Sequence, residues 1–166
     1  MPPERLILMR HAKSSWADPN VGDHDRPLNA RGRRAATLVG GHLRHARLRL
    51  DLVLCSSATR ARQTLELLDV ASNAEVLVED QLYGADAMAL LVRLRKVPAA
   101  VGSLLVIGHN PGLEDLVSML IGDNGALGEG FPTAAVADFG LSIPTWKELD
   151  SGRGQLHAFV TPRNLG

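Results

Sequence analysis

The chain carries Leu6-Ile7-Leu8-Met9-Arg10-His11 near its amino terminus, a short hydrophobic run that leads directly into an arginine and a histidine. A run of this length and composition predicts a buried β-strand. Residues that follow such a strand lie at its carboxyl end, where open α/β sheets bind their ligands. This stretch therefore predicts a sheet built around residues 6–9 and a candidate site just beyond it.

The pair Arg10 and His11 has two interpretations. A neutral imidazole attacks phosphorus well at neutral pH, and an adjacent guanidinium can hold phosphoryl oxygens through two parallel hydrogen bonds. This chemistry predicts phosphoryl transfer to His11. An arginine and a histidine after a strand can equally belong to a solvated loop, so the choice depends on the rest of the chain.

Short runs with β propensity alternate with helical periodicity along the remaining sequence. The predicted strands are residues 6–9, 52–55, 75–78, 104–107, 134–139 and 156–160. Alternation of strands and helices is typical of a sheet that is covered by helices on both faces. The sequence therefore predicts an α/β fold, a three-layer sandwich with a mostly parallel central sheet.

Four helices are predicted between these strands. The first has Asn29 as its N-cap, and its apolar face is predicted to contain Ala35, Leu38, Val39, His42, Leu43 and Ala46. The second follows Ser57, and the third begins near Asp86 with Met88, Leu91 and Val92 facing the core. The fourth follows Pro111 and is predicted to bury Leu113, Leu116, Val117 and Leu120. A glycine-rich loop is expected at residues 122–130.

Composition limits the range of partners and sites. The 166 residues are 45% hydrophobic and 22% charged, which is enough for one domain spanning residues 1–166 with its own core. Lys plus Arg and Asp plus Glu number 18 each, so net charge provides no reason to bind nucleic acid or an anionic membrane. Neither partner is expected, and composition does not determine the oligomeric state.

Cysteine content and the spacing of candidate ligands argue against disulfide bonds and bound metal ions. Cys55 is the single cysteine, which excludes an internal disulfide and a thiolate zinc cluster and fits a reducing compartment. The amino terminus lacks the layout of a signal peptide, so a cytoplasmic location is expected. The histidines show no metal-ligand spacing such as H-E-x-x-H. No metal and no cofactor are therefore predicted.

The residues that follow the predicted strands share one kind of chemistry. Ser56, Ser57 and Arg60 follow the second strand, and His109 and Asn110 follow the fourth. Carboxyl ends of parallel strands meet at one edge of a sheet, so two histidines and two arginines are expected to converge there. The amino termini of the helices that begin at this edge also favour an anion. The combination predicts a phosphate site.

Two other phosphate-binding motifs are excluded by spacing. Tyrosine-phosphatase chemistry uses a cysteine, five residues and an arginine, whereas only four residues separate Cys55 from Arg60. Cys55 is therefore predicted to be a small buried residue. A Walker loop, G-x-x-x-x-G-K-[ST], does not occur in the chain.

Five motifs occur in order along the chain, at residues 8–14 (LMRHAKS), 25–29 (DRPLN), 31–32 (RG), 56–64 (SSATRARQT) and 108–111 (GHNP). Together they resemble those of the histidine phosphatase superfamily, and most closely its small SixA-type phosphohistidine phosphatases. The resemblance implies a phosphoglycerate-mutase-like fold. It makes His11 the nucleophile that accepts phosphate, Arg10 and Arg60 the phosphate clamp, and His109 a second histidine beside the transferred group.

Two departures from the family pattern bear on the substrate. Ala12 stands where the family usually has glycine, and Lys13 is a possible extra anion contact. The glutamate that phosphomutases and phosphoesterases of the superfamily use as general acid has no secure equivalent in residues 79–84. Asp80 and Asp23 are the alternatives, and either could instead be a structural cap. The candidate substrate-binding residues are Lys13, Asp23, Arg26 and Asn110.

A missing general acid favours a leaving group that needs little help. An alkoxide requires a proton in the transition state, whereas the nitrogen of a phosphorylated imidazole can be protonated from solvent beforehand. The sequence therefore favours hydrolysis of phosphohistidine on a protein through a covalent intermediate on His11. The alternatives are a phosphomonoesterase acting on a small phosphorylated metabolite and, from another class, an inactive module that binds phosphorylated groups.

Overall fold

Six strands form one sheet in the part of the chain that the computed structural model describes, residues 2–165. The strands are β1 (Arg5–Arg10), β2 (Leu52–Ser56), β3 (Glu75–Glu79), β4 (Ser103–Gly108), β5 (Val136–Leu141) and β6 (Gly154–Val160). Their order across the sheet is β3-β2-β4-β1-β5-β6. β1 therefore lies inside the sheet, between β4 and β5.

Helices fill the connections between these strands. They are α1 (Ala30–His45), α2 (Thr59–Leu68), α3 (Ala87–Leu94), α4 (Gly112–Ile121) and α5 (Pro162–Leu165). Short 3-10 turns occur at Asp23–Asp25, Asp80–Leu82 and Trp146–Glu148. The helix α5 and the three turns were not predicted from the sequence.

The sheet is mostly parallel, as the sequence predicts. β2 pairs in parallel with β3 and β4, and β4 pairs in parallel with β1. β5 is antiparallel to both β1 and β6. Five strands thus point the same way, so the carboxyl ends of β1, β2 and β4 open on one edge.

Two cores, one on each face of the sheet, confirm the three-layer arrangement. In β1, Leu6 and Leu8 belong to the core that includes the buried residues of α3 and α4. Ile7 and Met9 belong to the other core, together with those of α1 and α2. This alternation follows from the period of two along a strand. Because β1 is buried on both faces, it reads as one continuous apolar run.

The buried face of α1 differs from the predicted one. The N-cap is confirmed, since the Asn29 side chain accepts a hydrogen bond of 2.8 Å from the backbone N–H of Gly32. However, Leu38 is 39% exposed, and His42 and Ala46 are also exposed. The residues that α1 buries are Gly32, Ala36, Val39, Gly40 and Leu43.

Close backbone packing explains this difference. A Cβ atom at Gly32 would lie 2.1 Å from the carbonyl oxygen of Lys13, and one at Gly40 would lie 2.4 Å from that of Leu68. The glycines thus allow α1 to lie close to the segment that follows β1 and to α2. A prediction from hydrophobicity does not identify glycine as a core residue. The predicted apolar face of α1 is therefore rotated relative to the buried face, toward positions with larger side chains.

α3 shows a similar rotation, whereas α4 was predicted correctly. Met88 is 53% exposed and Val92 is 42% exposed, so their predicted inward orientation is wrong. α3 instead buries Ala87, Leu90, Leu91 and Leu94. Two adjacent apolar stripes run along this short helix, and tertiary packing selects one of them. In α4 the buried side chains include all four of the predicted leucine and valine positions.

The start of β5 lies two residues later than predicted. Ala134 has a positive φ of 62°, a left-handed conformation that does not continue a strand. Its N–H donates to the carbonyl oxygens of Arg10 and His11, each at 3.0 Å. The residue therefore closes a turn against the end of β1 before β5 begins at Val136.

Candidate active site

The carboxyl ends of β1 and β4 place two histidines side by side. The register pairs Arg10 with Gly108, and the backbone N–H of His11 donates to the carbonyl oxygen of Gly108 at 3.1 Å. His11 and His109 follow these paired residues, and their ring centroids are 5.1 Å apart. Both side chains are buried. The convergence predicted at this edge is therefore present.

His11 is held as a neutral ring with one unprotonated nitrogen. Its Nδ1 lies 2.6 Å from the carbonyl oxygen of Ala12, which can only accept, so Nδ1 carries the proton. Burial, followed by the positive groups nearby, lowers the pKa of His11 to about 3. Nε2 consequently keeps its lone pair at neutral pH. This is the protonation state required of a nucleophile toward phosphorus.

Arg60 lies in the first turn of α2 and reaches both histidines. Its Nε is 3.4 Å from Nε2 of His11, and its Nη2 is 3.5 Å from Nδ1 of His109. The guanidinium is anchored from behind by Asp23, whose backbone oxygen accepts from Nη1 at 2.7 Å and whose carboxylate accepts from Nη2 at 3.1 Å. A rigidly held cation thus stands beside the free nitrogen of His11.

His109 is oriented by the end of β2. Arg60 donates toward Nδ1, so the proton of the neutral ring is on Nε2, which donates to the hydroxyl of Ser56 at 2.7 Å. Burial, with a further contribution from Arg60, lowers the pKa of His109 to about 4. Nδ1 is thus the unprotonated nitrogen of His109, and it accepts from Nη2 of Arg60.

Arg10 and Asn110 are joined through Phe131, the residue that follows the glycine-rich loop. The carbonyl oxygen of Phe131 accepts from Nη1 of Arg10 at 3.0 Å and from Nδ2 of Asn110 at 2.9 Å. Nε of Arg10 and Oδ1 of Asn110 are buried and have no hydrogen-bond partner within residues 2–165. Buried polar atoms are normally paired, so these two atoms are suited to contact a bound molecule.

A cavity of about 340 Å³ collects these groups. Its lining consists of Arg10, His11, Lys13, Ser14, Trp16, Arg26, Arg60, His109, Asn110 and Thr133. Four of these side chains are cationic and none is a carboxylate. Such a cavity is suited to bind a phosphoryl dianion, because opposite charges in a partly desolvated space attract strongly.

The rim of the cavity is built around Arg26. This buried side chain donates from Nε and Nη2 to Oδ1 of Asp23, at 3.1 and 3.0 Å, and from Nη1 to the hydroxyl of Ser14. Its Cζ lies 3.6 Å from the centroid of the Trp16 ring, and Trp16 itself is 76% exposed. Lys13, also exposed, stands at the same rim. An exposed aromatic surface and an exposed cation therefore border the entrance.

Asp23 is bound by two arginines and a tyrosine. Its Oδ1 accepts from Arg26 and its Oδ2 accepts from Arg60 and from the Tyr83 hydroxyl. The hydrogen bond from Tyr83, followed by those from the two arginines, holds the pKa of Asp23 below its usual range. The carboxylate is ionised and fully engaged at neutral pH, and Asp23 does not line the cavity.

The second candidate acid, Asp80, does not line the cavity that holds the two histidines. Asp80 is exposed in the turn Asp80–Leu82, and within residues 2–165 its side chain is not part of any hydrogen bond to the cavity residues. The neighbouring Glu79 is engaged by Arg93, with oxygen to nitrogen distances of 2.7 and 2.9 Å. Neither carboxyl group of this segment lines the cavity that holds His11.

Tyr83 and His24 complete the site, and the sequence did not single them out. The Tyr83 ring packs edge-on against His109, with centroids 5.5 Å apart, and against His24, at 4.8 Å. His24 Nε2 lies 2.8 Å from the hydroxyl of Ser57. The available signal was the place of Tyr83 within residues 79–84, the segment in which the missing glutamate was sought.

Other chemistry receives no support from the described residues. Cys55 is buried, and burial raises its pKa to about 12, so its thiol stays protonated. Within residues 2–165 the histidine, cysteine and acidic side chains form no group of three or more suited to a metal ion. In that same part of the chain, no helix has the length and hydrophobicity needed to cross a membrane.

Comparison with known proteins agrees with this geometry. A model of the histidine phosphatase superfamily, branch 1, matches residues 6–90. The uncharacterised protein Rv1276c of Mycobacterium tuberculosis is 38% identical over 162 residues, which cover 93% of this chain and 100% of that protein. Phosphohistidine phosphatase SixA of Escherichia coli is 30% identical over 165 residues, covering 97% and 96% of the two chains.

Solved structures extend the similarity over nearly the whole fold. A proposed SixA phosphohistidine phosphatase from Nakamurella multipartitia has a TM-score of 0.83 and 32% identity, with 95% of each chain covered. The protein histidine phosphatase SixA complexed with tungstate has a TM-score of 0.79 and 28% identity, covering 98% of this chain and 99% of that one. The chain belongs to the histidine phosphatase superfamily and is a hydrolase of that superfamily.

Proposed function

We propose that this enzyme removes the phosphoryl group from phosphohistidine on a protein, with a covalent intermediate on His11. The observation that carries the proposal is the free Nε2 of a neutral, buried His11, 3.4 Å from Nε of Arg60 in a cavity without carboxylates. A nucleophile and a cation in fixed contact provide the two elements that phosphoryl transfer requires, positioning and charge stabilisation.

In the first step Nε2 of His11 attacks phosphorus in line with the leaving nitrogen. The new Nε2–P bond forms as the P–N bond of the substrate breaks, and the released imidazole nitrogen takes its proton from solvent. Arg10 and Arg60 hold the equatorial oxygens. Nδ1 of His11 remains bonded to the Ala12 carbonyl oxygen, which stabilises the positive charge that develops on the ring.

In the second step water attacks the phosphorus of phospho-His11. The Nε2–P bond breaks, inorganic phosphate leaves, and the extra proton of the water passes to phosphate or solvent. Nε2 of His11 regains its lone pair, and the enzyme returns to its starting state. No metal or cofactor enters the proposed cycle, since Arg10 and Arg60 hold the charge.

The substrate class follows from the carboxyl groups around the cavity. Asp23 is ionised and engaged by two arginines and a tyrosine, so it has no proton to donate. A phosphoramidate tolerates this because its leaving nitrogen is protonated without a general acid. Relatives called SixA phosphohistidine phosphatases at 28 and 30% identity support the same class of substrate.

A small phosphomonoester is the second candidate substrate. The cavity volume of about 340 Å³ falls in the range of sites for small molecules, roughly 300–1,000 Å³. A phosphoester with a good leaving group would need no acid from Asp80 or Asp23. Substrate preference therefore separates the two candidates.

A hydrolysis panel tests the proposal. It compares a phosphohistidine protein, free phosphohistidine, p-nitrophenyl phosphate, phosphotyrosine and a sugar phosphate. We expect phosphohistidine and aryl phosphates to be cleaved much faster than the sugar phosphate, with activity retained in a chelator and inhibited by vanadate. Efficient hydrolysis of the sugar phosphate and none of phosphohistidine would establish the second candidate instead.

The setting of this activity is also a proposal. We expect residues 1–166 to act as one domain, because both cores draw on residues from the start and the end of the described chain. The single buried cysteine fits a reducing cytoplasm. The location of the fluorescently tagged protein in cells tests the cytoplasmic setting. Limited proteolysis of the purified chain tests whether residues 1–166 act as one domain.

A further inference from the structure

A second and larger cavity, of about 870 Å³, opens beside the first. The two share Lys13 and Thr133 in their linings. The second cavity, here called the side groove, is lined by Lys13, Arg31, Ala35, residues 126–130, Pro132, Thr133, Leu156, Phe159 and residues 161–164. Because the linings meet at Lys13, a molecule held at His11 can continue into the side groove.

The charges of the side groove are unbalanced. Lys13, Arg31 and Arg163 line it and are exposed, whereas Glu129 is the one carboxylate of its lining. None of the three cations takes part in an ion pair among residues 2–165. Elsewhere in this structure arginines such as Arg93 are engaged by carboxylates. The cations of the side groove are thus available to a negatively charged partner.

The surface next to the side groove has the same sign. α1, which contributes Arg31, contains four arginines and two histidines in its sixteen residues and no acidic residue. The whole chain has no net charge, so this basic surface is a local feature. Local charge of one sign steers and orients an oppositely charged partner even when net charge does not.

Apolar side chains line the side groove between these cations. Leu127, Leu156 and Phe159 are only partly buried and contribute to the lining. A groove that combines separate cations with partly buried leucine and phenylalanine side chains fits a polypeptide of acidic and apolar residues. A free metabolite that carries only a phosphoryl group would leave most of this volume unused.

We propose that the side groove binds an acidic segment of the substrate protein, next to the phosphohistidine that enters the cavity at His11. The proposal rests on the proposed function and adds the chemistry of the substrate's surroundings. Carboxylates of the segment pair with Arg31 and Arg163, and its apolar side chains contact Leu156 and Phe159. Lys13 stands between the segment and the phosphoryl group.

Two synthetic peptides test this proposal. They carry the same chemically phosphorylated histidine, flanked in one by Asp, Glu and Leu and in the other by Lys and Leu. The enzyme should hydrolyse the acidic peptide with a kcat/KM about tenfold higher at low ionic strength, and the preference should shrink in high salt because exposed ion pairs are screened. Equal hydrolysis of the two peptides would overturn the proposal.

A charge-reversed variant locates the effect. Arg31→Glu with Arg163→Glu should abolish the preference for the acidic peptide and leave kcat/KM for p-nitrophenyl phosphate within about twofold, as expected for exposed charges outside the reacting groups. Lys96→Glu with Lys147→Glu is the matched control, since it makes the same change of net charge at exposed positions outside both cavities. An equal loss of preference in the control would overturn the assignment to the side groove.

Direct binding separates this proposal from the proposed function. A fluorescent acidic peptide without phosphate should bind the wild type and lose affinity in the Arg31→Glu, Arg163→Glu variant, as measured by anisotropy. If neither phosphopeptide is hydrolysed while this binding persists, the proposal of phosphohistidine activity is wrong and the proposal of acidic-peptide binding in the side groove is supported. If the acidic peptide does not bind, or a single-stranded oligonucleotide binds at least as tightly, the side groove proposal fails.

Discussion

The catalytic cavity and the side groove lie next to each other but are built in opposite ways. In the cavity His11, Arg60 and His109 are buried, and Arg60 is anchored by Asp23, a partner distant in sequence. In the side groove Arg31 and Arg163 are exposed and unpaired within residues 2–165. Buried, preorganised groups stabilise a transition state, whereas exposed charges orient a partner and are weakened by salt. The buried groups of the cavity are therefore suited to catalysis, and the exposed charges of the side groove are suited to recognition of a partner.

The strongest test of that separation removes the nucleophile. His11→Ala should reduce kcat by about 10³-fold or more, because the Nε2–P bond can no longer form. Circular dichroism should show an intact fold, and His42→Ala, at an exposed position on α1, should leave activity unchanged. The phosphorylated wild-type enzyme should be labile in acid and stable in alkali. Retention of more than about a hundredth of the rate in His11→Ala would contradict the assignment of the nucleophile.

Removing the buried cation should have the next largest effect. Arg60→Ala should lower kcat/KM by about 10²–10³-fold for every phosphorylated substrate, since the group that stabilises the equatorial oxygens is lost. Arg62→Ala on the same helix is the control, because Arg62 is exposed and bonds only locally. An Arg60→Ala variant that loses activity on proteins but not on p-nitrophenyl phosphate would place Arg60 in recognition and remove the contrast between the two cavities.

Acid should destabilise the folded protein through the buried histidines. Burial lowers the pKa of His11 from 6.5 to about 3, so between these values the unfolded chain binds a proton that the folded chain does not. Stability from this group is therefore present above pH 6.5 and is lost as pH falls. At pH 5 the loss for His11 is about 2 kcal/mol, roughly a 30-fold change in the unfolding equilibrium.

Urea unfolding at pH 7 and pH 5 measures this contribution. The free energy of unfolding of the wild type should fall by about 2 kcal/mol more than that of His11→Ala over this interval. The same fall in both proteins would mean that His11 is not held neutral by burial.

The two aspartates give the smallest predicted effects and should differ from each other. Asp23→Asn should lower kcat/KM by about tenfold for all substrates, because it loosens Arg60 and not because it removes a proton. Asp80→Asn should change hydrolysis of phosphohistidine by less than about twofold, since Asp80 lies apart from the reacting atoms. A selective loss of phosphoester hydrolysis in Asp80→Asn would identify Asp80 as a general acid and favour the small phosphomonoester.

The sequence predicted local structure and the residues at the strand ends. The apolar run before Arg10 and His11 predicted β1, and the motifs around Arg60 and His109 predicted that these side chains would meet. These inferences succeeded because strand and helix periodicity are local, and because parallel strands bring their carboxyl ends to one edge whatever the details of packing. The α/β class and the family followed from the same residues.

The tertiary structure decided which residues face each other across long sequence separations. Asp23 could have been an acid or a cap, and only its contacts with Arg26, Arg60 and Tyr83 show that it is ionised and engaged. The buried glycines of α1 likewise became apparent only where another backbone approached them. The side groove joins side chains from the start and the end of the chain. Local sequence determines backbone tendencies, whereas burial, protonation and charge pairing depend on neighbours that only the folded chain brings together.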